Sequence, residues 1–202
     1  MWGVGVMSRR NQVFKQVLYK FFRERLETCT AEHQVSPQYE TICYLGDTLS
    51  RMAVTDELFV VETEGRVIRP LALLYKDARE ADNEWEKRLL LQKLGEQALV
   101  TGALFPERWA RKGLYQDYFV GMGSAAYDYL AEQPVPKQSV YRELAERFAA
   151  LIELVMRACF RSPEKLEAIL SEYRKRTKIL EANSASPLGI DKISWNHGDL
   201  LH

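Results

Sequence analysis

Apolar residues recur every three or four positions in segment after segment of this chain, and prolines, glycines and small polar residues separate the segments. Over residues 12–28, Val13, Phe14, Val17, Leu18, Phe21, Phe22 and Leu26 follow helical spacing with Lys15, Lys20, Arg23 and Glu24 between them, which predicts an amphipathic helix. A loop carrying His33 is expected over residues 30–35. Ser36-Pro37 reads as an N-cap followed by proline at the first helical position. The helix it opens runs to about Ala53 through Tyr39, Ile42, Cys43, Leu49 and Met52.

Residues 58–68, LFVVETEGRVI, break this style. They are β-branched on both sides of Thr63-Glu64-Gly65, so a short hairpin is compatible with them. An isolated hairpin is marginal in water, which makes it at most a small appendage on helices. Pro70 restarts a helix through Leu71, Leu74, Tyr75 and Ala78, and Asp82 caps a long one to about Thr101. Phe105-Pro106 breaks that helix. One or two further turns over residues 107–112 close at Gly113 as a left-handed residue. A helix over residues 115–132 stops before Pro134 and Pro136. Ser139 caps the next, with Leu144, Phe148, Leu151, Val155 and Cys159 in register. Ser162-Pro163 starts a last helix with Leu166, Ile169, Leu170, Tyr173 and Leu180.

The pattern therefore predicts one all-α domain of six to eight helices over residues 11–182. Residues 1–10 form an N-terminal extension, and residues 183–202 an irregular tail. The helices over 84–101 and 115–132 are expected at its centre.

Composition narrows the classes. The 202 residues are 47% hydrophobic and 28% charged, which suits a globular domain and neither a disordered nor a membrane-embedded chain. Lys plus Arg and Asp plus Glu are 28 each, so no global field favours nucleic acid or an anionic membrane. Arg174, Lys175, Arg176 and Lys178 form one basic cluster, read as a solvated helix face near a C-terminus. Cys29, Cys43 and Cys159 lack C-x-x-C spacing and read as small buried thiols in a reducing, cytoplasmic setting. The opening MWGVGVM is too short and uncharged for a signal peptide, and no apolar run reaches bilayer length. A more ordinary sequence begins at Met7, so the first six residues are expected to be an extension from an upstream start.

Residues 101–132 hold the candidate chemistry. Glycines 102, 113, 121 and 123 lie there among a dense set of aromatics. A glycine in a helix interior costs roughly 1 kcal/mol relative to alanine, so Gly121 and Gly123 imply a closely packed backbone or something bound. Asp117, Gly121, Ser124 and Asp128 align on one helical stripe, beside Tyr118, Met122, Ala125 and Tyr129. Two readings stay open. In one, small residues admit a neighbouring helix while Tyr118 and Tyr127 fill the core. In the other, Asp117, Tyr118, Gly121, Ser124 and Tyr127 line a groove for a ligand or a peptide.

The break at Phe105, Pro106, Glu107, Arg108 and Trp109 belongs with them. Arg108 or Arg111 could meet freed carbonyls or Asp117, or be plain surface. Trp109 is either a partner anchor or a lid on the core.

Other chemistries find no support. Phosphate-binding glycine loops, H-E-x-x-H and G-x-S-x-G are absent, and His33, His197 and His202 lie in a predicted loop and tail. No cofactor, metal site or catalytic residue is assigned.

Three stretches carry a resemblance: Leu94-Gly95-Glu96, GALFPE over residues 102–107, and DYFVGMGSAAY over residues 117–127. They resemble a G-x-F-P-E … DYF-x-x-G-x-x-AY pattern of a group of uncharacterised bacterial all-helical proteins, over about a third of the chain. Glu96 stands where that pattern more often has Asp. The resemblance implies a bacterial cytoplasmic helical domain and transfers no activity. The favoured expectation is a non-enzymatic interaction or regulatory module with a protein partner or as a homodimer. The alternative is a small-molecule-binding protein or enzyme with a pocket at the central helices. Nucleic acid and membrane are not expected partners.

Overall fold

The computed structural model describes residues 9–33, 36–54, 59–62 and 65–160. Their elements in order are α1 (Arg9–His33), α2 (Tyr39–Val54), β1 (Phe59–Glu62), β2 (Gly65–Ile68), α3 (Leu71–Arg79), α4 (Glu84–Leu104), α5 (Pro106–Ala110), α6 (Gln116–Ala131) and α7 (Gln138–Cys159). The domain is all-α, with seven helices and one hairpin among the described residues. The hairpin pairs Phe59 with Ile68 and Glu62 with Gly65, antiparallel. The expected last helix, the basic cluster at 174–178, the tail with His197 and His202, and the opening residues 1–8 lie outside the described residues.

α4 is the axis. It packs against α3, α6 and α7, while α6 also packs on α7, and α1 packs on α2 and α7. Residues 94–103 of α4 are buried without interruption. Its sequence there, LGEQALVTGA, permits this because Gly95, Ala98, Gly102 and Ala103 let neighbours approach from several sides. A Cβ on Gly95 would lie 2.6 Å from the Tyr127 ring, and one on Gly102 would lie 3.1 Å from Phe119. The buried polar groups of this stretch are bonded: Gln97 donates to the Arg69 carbonyl, and Thr101 to the Gln97 carbonyl at 2.6 Å.

The boundaries show where local signals held and where they did not. The break at Phe105-Pro106 and the short α5 form as expected, with Pro106 in its first turn. Gly113 adopts φ +75°. Its N–H bonds Ala110 O, and the Leu114 N–H bonds Trp109 O, both at 3.0 Å, closing α5 in a left-handed C-terminal motif. The loop expected over residues 30–35 does not begin at Thr30: α1 continues through His33. Leu26 and Cys29 are buried in that part of the helix. The hydroxyls of Thr28 and Thr30 bond the carbonyls of Glu24 and Glu27, so these residues need not leave the helix to be satisfied.

Three expected caps are corrected. Asn83, not Asp82, caps α4, accepting the Glu86 N–H at 2.9 Å. Ser139 lies inside α7, whose N-cap position is Lys137 with no side-chain cap. Ser36 does not cap α2. That role falls to Glu143 of α7, whose carboxylate accepts the Gln38 N–H at 2.9 Å and the Thr41 hydroxyl at 2.6 Å. A carboxylate is favoured there because the helix N-terminus carries partial positive charge. Arg147, at a kink in α7 with φ −120° and ψ 21°, donates to Glu143 at 2.8 Å and to the Ser36 carbonyl at 3.0 Å.

Candidate functional site

The residues singled out on α5 and α6 do not form one concavity-facing set. Asp117 is exposed, while Tyr118, Gly121 and Ser124 are half-buried and Tyr127 is fully buried. The Ser124 hydroxyl is turned back on its own helix, donating to Val120 O at 2.6 Å. At the break, Glu107 and Arg108 are exposed, Phe105 is half-buried, and Pro106 is buried. Trp109 is only 8% exposed. It tilts against Phe119 with ring centroids 5.9 Å apart, and Lys112 Nζ lies 5.3 Å from its ring centre. Of the two readings of Trp109, the packing matches the lid. Its buried Nε1 has no hydrogen-bond partner among the described residues.

The two glycines separate. A Cβ on Gly123 would lie 2.1 Å from the Phe148 ring of α7, so close approach is the reason for that glycine. A Cβ on Gly121 would meet nothing within 4 Å among the described residues. The expectation that both sit beneath a packed body is corrected for Gly121: it lies on the outward stripe with Asp117 and Asp128, about 200° around the helix from the seam that Gly123 occupies.

The concentrated polar chemistry lies elsewhere, between α2, α4, α6 and α7. Glu96, 3% exposed, accepts from the Tyr44 hydroxyl and Gln92 Nε2, each at 2.9 Å. Its other oxygen accepts from Arg51 Nη2 at 2.5 Å. The Tyr44 and Tyr127 hydroxyls are 3.1 Å apart, and the Tyr141 hydroxyl donates to Gln92 Oε1 at 3.3 Å. Tyr127 and Tyr141 stack at 5.7 Å, and Tyr44 meets both rings edge-on. Burial first, then the neighbouring phenol and the Glu96 charge, push the Tyr44 phenol well above its ordinary range. Burial and the Glu96 charge do the same for Tyr127, and push Tyr141 up to about 12. These phenols are held neutral, with Tyr44 donating to Glu96, Tyr127 paired with the Tyr44 hydroxyl and Tyr141 donating to Gln92. Both carboxylate oxygens are already bonded, so the cluster ties four helices together rather than presenting an open group.

Pattern reading missed Tyr44, Arg51, Gln92 and Tyr141 as members of this cluster. One signal was there: Glu96 is the only charged residue in residues 94–106, and a lone carboxylate in a small and apolar helix requires partners.

The other unexpected feature is on α1. Val13, Phe14, Val17 and Phe21 are 62, 54, 60 and 43% exposed, although they belong to the apolar set whose spacing predicts an amphipathic helix. The signal was the width of the stripe. At 100° per residue the seven apolar positions cover about 220° of the circumference, more than one packing face uses. Leu26 and Cys29 take the face against α2 and α7. Val13, Phe14, Val17 and Phe21 are left on the other.

Among the described residues, no group of three or more His, Cys, Asp or Glu side chains could hold a metal ion. None of the described helices is long and apolar enough to cross a membrane. No family model, curated protein or solved structure matches the chain.

Proposed function

We propose that this chain is a non-enzymatic interaction module and that the outer face of α1 is its contact surface. The observation that carries this is the stripe of Val13, Phe14, Val17 and Phe21, exposed at 43–62% along two turns of one helix. Such a stripe amounts to an apolar patch on the order of 400 Å², the size that marks interaction sites on otherwise polar surfaces. Its i, i+4, i+8 spacing suits a partner helix laid alongside. The break at residues 105–109 is a weaker surface for this purpose, since Trp109 and Pro106 are buried and the exposed residues are charged. The small-molecule reading has less support too, because Tyr127 is committed to Tyr44 and Ser124 to its own helix. Three free thiols fit a reducing, cytoplasmic location.

The test is a photo-reactive phenylalanine analogue at Val17, with the same group at the exposed Asp117 as control, in cells that make the full chain. A covalent adduct to protein is expected at position 17 and not at 117. A folded chain that gives no adduct at position 17 would defeat the proposal.

A further inference from the structure

α1 is fastened unevenly along its length. From residue 12 to residue 25 every side chain is exposed or half-buried, and burial begins only at Leu26 and Cys29. The inner face of that first part consists of Lys15, Leu18, Tyr19 and Phe22, all half-buried. Lys15 Nζ meets Asp47 of α2 at 2.9 Å, in an ion pair partly open to water. The Tyr19 ring lies on Gly46 of α2, where a Cβ would come within 3.4 Å of it.

The second part is held differently. Leu26 is fully buried, Cys29 is buried beside it one turn on, and Arg25 Nε donates to the Ala158 carbonyl in the last turn of α7. The free energy that keeps a segment down follows the apolar area it buries, and an ion pair with access to water adds little. The two parts of one helix therefore differ in local stability, with the change at residues 22–25.

We infer that residues 12–21 form a strap that leaves α2 as a unit while the part of α1 from Leu26 onward stays packed on α7. A helical segment this short is marginal in water without tertiary support, so the strap unwinds as it leaves. Opening bares Leu18 and Tyr19 in addition to the outer stripe, together with the surface of α2 at Cys43 and Gly46. A partner that takes up both faces of α1 binds only the open state, and its apparent affinity is reduced by the fraction of chains that are open. The inference goes beyond the outer face of α1 as a contact surface and stands without it.

Native-state hydrogen exchange of the full chain, followed in increasing urea below the unfolding transition, tests this. The amides of residues 13–21 should share one opening reaction, at least tenfold more frequent than that of residues 94–103 in α4 and with a smaller urea dependence. Residues 26–29 should follow α4. Lys15→Ala, which removes the ion pair, should quicken exchange at residues 13–21 about two- to fivefold and leave residues 26–29 unchanged.

Three outcomes would overturn the strap. Residues 13–21 exchanging with the same urea dependence as α4 would show that α1 opens only with the whole fold. A graded rise in protection from residue 13 to residue 21, with no shared opening, would be fraying of a helix end. Equal acceleration of residues 13–21 and 26–29 by Lys15→Ala would mean that the two parts of α1 open together.

Discussion

Adding one methyl group at each of two glycines only two residues apart should move stability in opposite directions. At Gly121 the space is open and φ is not in the left-handed region, so Gly121→Ala should stabilise α6 by about 0.5–1 kcal/mol through reduced backbone freedom. At Gly123 the new Cβ would sit 2.1 Å from Phe148, and displacing a fully buried ring should cost about 1–3 kcal/mol. Urea unfolding of both variants checks this. Equal shifts of the same sign would contradict the packing described here. At this scale residue type was readable in the sequence and partner was not. Gly123 and Gly121 look alike there because Phe148 lies in another helix. Glu96 is different: its isolation among small and apolar neighbours is a signal of a buried carboxylate that went unread, and its partners Tyr44 and Arg51 come from another helix.

At the scale of elements, local signals located most helices and erred at the ends. Pro106 and Gly113 act through their own backbone, so α5 and its closure follow from the chain alone. The start of α2 does not. Its cap is Glu143, 105 residues away from Gln38, and a serine-proline pair at residues 36–37 pointed to a local solution that the fold does not use. Glu143→Ala should cost about 1–3 kcal/mol, since it removes the cap, the Thr41 bond and the partner of Arg147. Hydrogen exchange should quicken in the first turn of α2 and leave α6 unchanged. Unchanged protection in α2 would show that Glu143 does not hold it. α1 illustrates the same limit from the other side. Periodicity established that it is a helix, while the positions of α2 and α7 determined which of its apolar residues are covered.

For the whole molecule, the buried phenols make alkaline pH the informative axis. Tyr44 and Tyr127 are held well above their ordinary range, and Tyr129 and Tyr141 are pushed up to about 12, in each case chiefly by burial. In the unfolded chain these phenols release their protons near pH 10, so above that pH the folded state binds more protons and stability falls. The contribution is complete below pH 10 and, for Tyr129 and Tyr141, is lost as pH rises through about 12. Phenolate absorbance should therefore show the surface tyrosines titrating first. Those of the cluster should appear only with a cooperative loss of helical signal. Smooth titration of all ten tyrosines near pH 10 with the fold intact would refute the burial of the cluster.

The sequence by itself determined the all-α class and the position of most breaks, and left the hairpin open. These depend on periodicity, proline and glycine, which act over a few residues. Tertiary structure alone decided which glycine is covered, what caps α2, and that the cluster around Glu96 joins four helices. It also decided that an apolar face of α1 stays uncovered by the described helices. Each of those outcomes is set by contact between groups far apart in the chain, and spacing along one segment carries no record of what will pack against it.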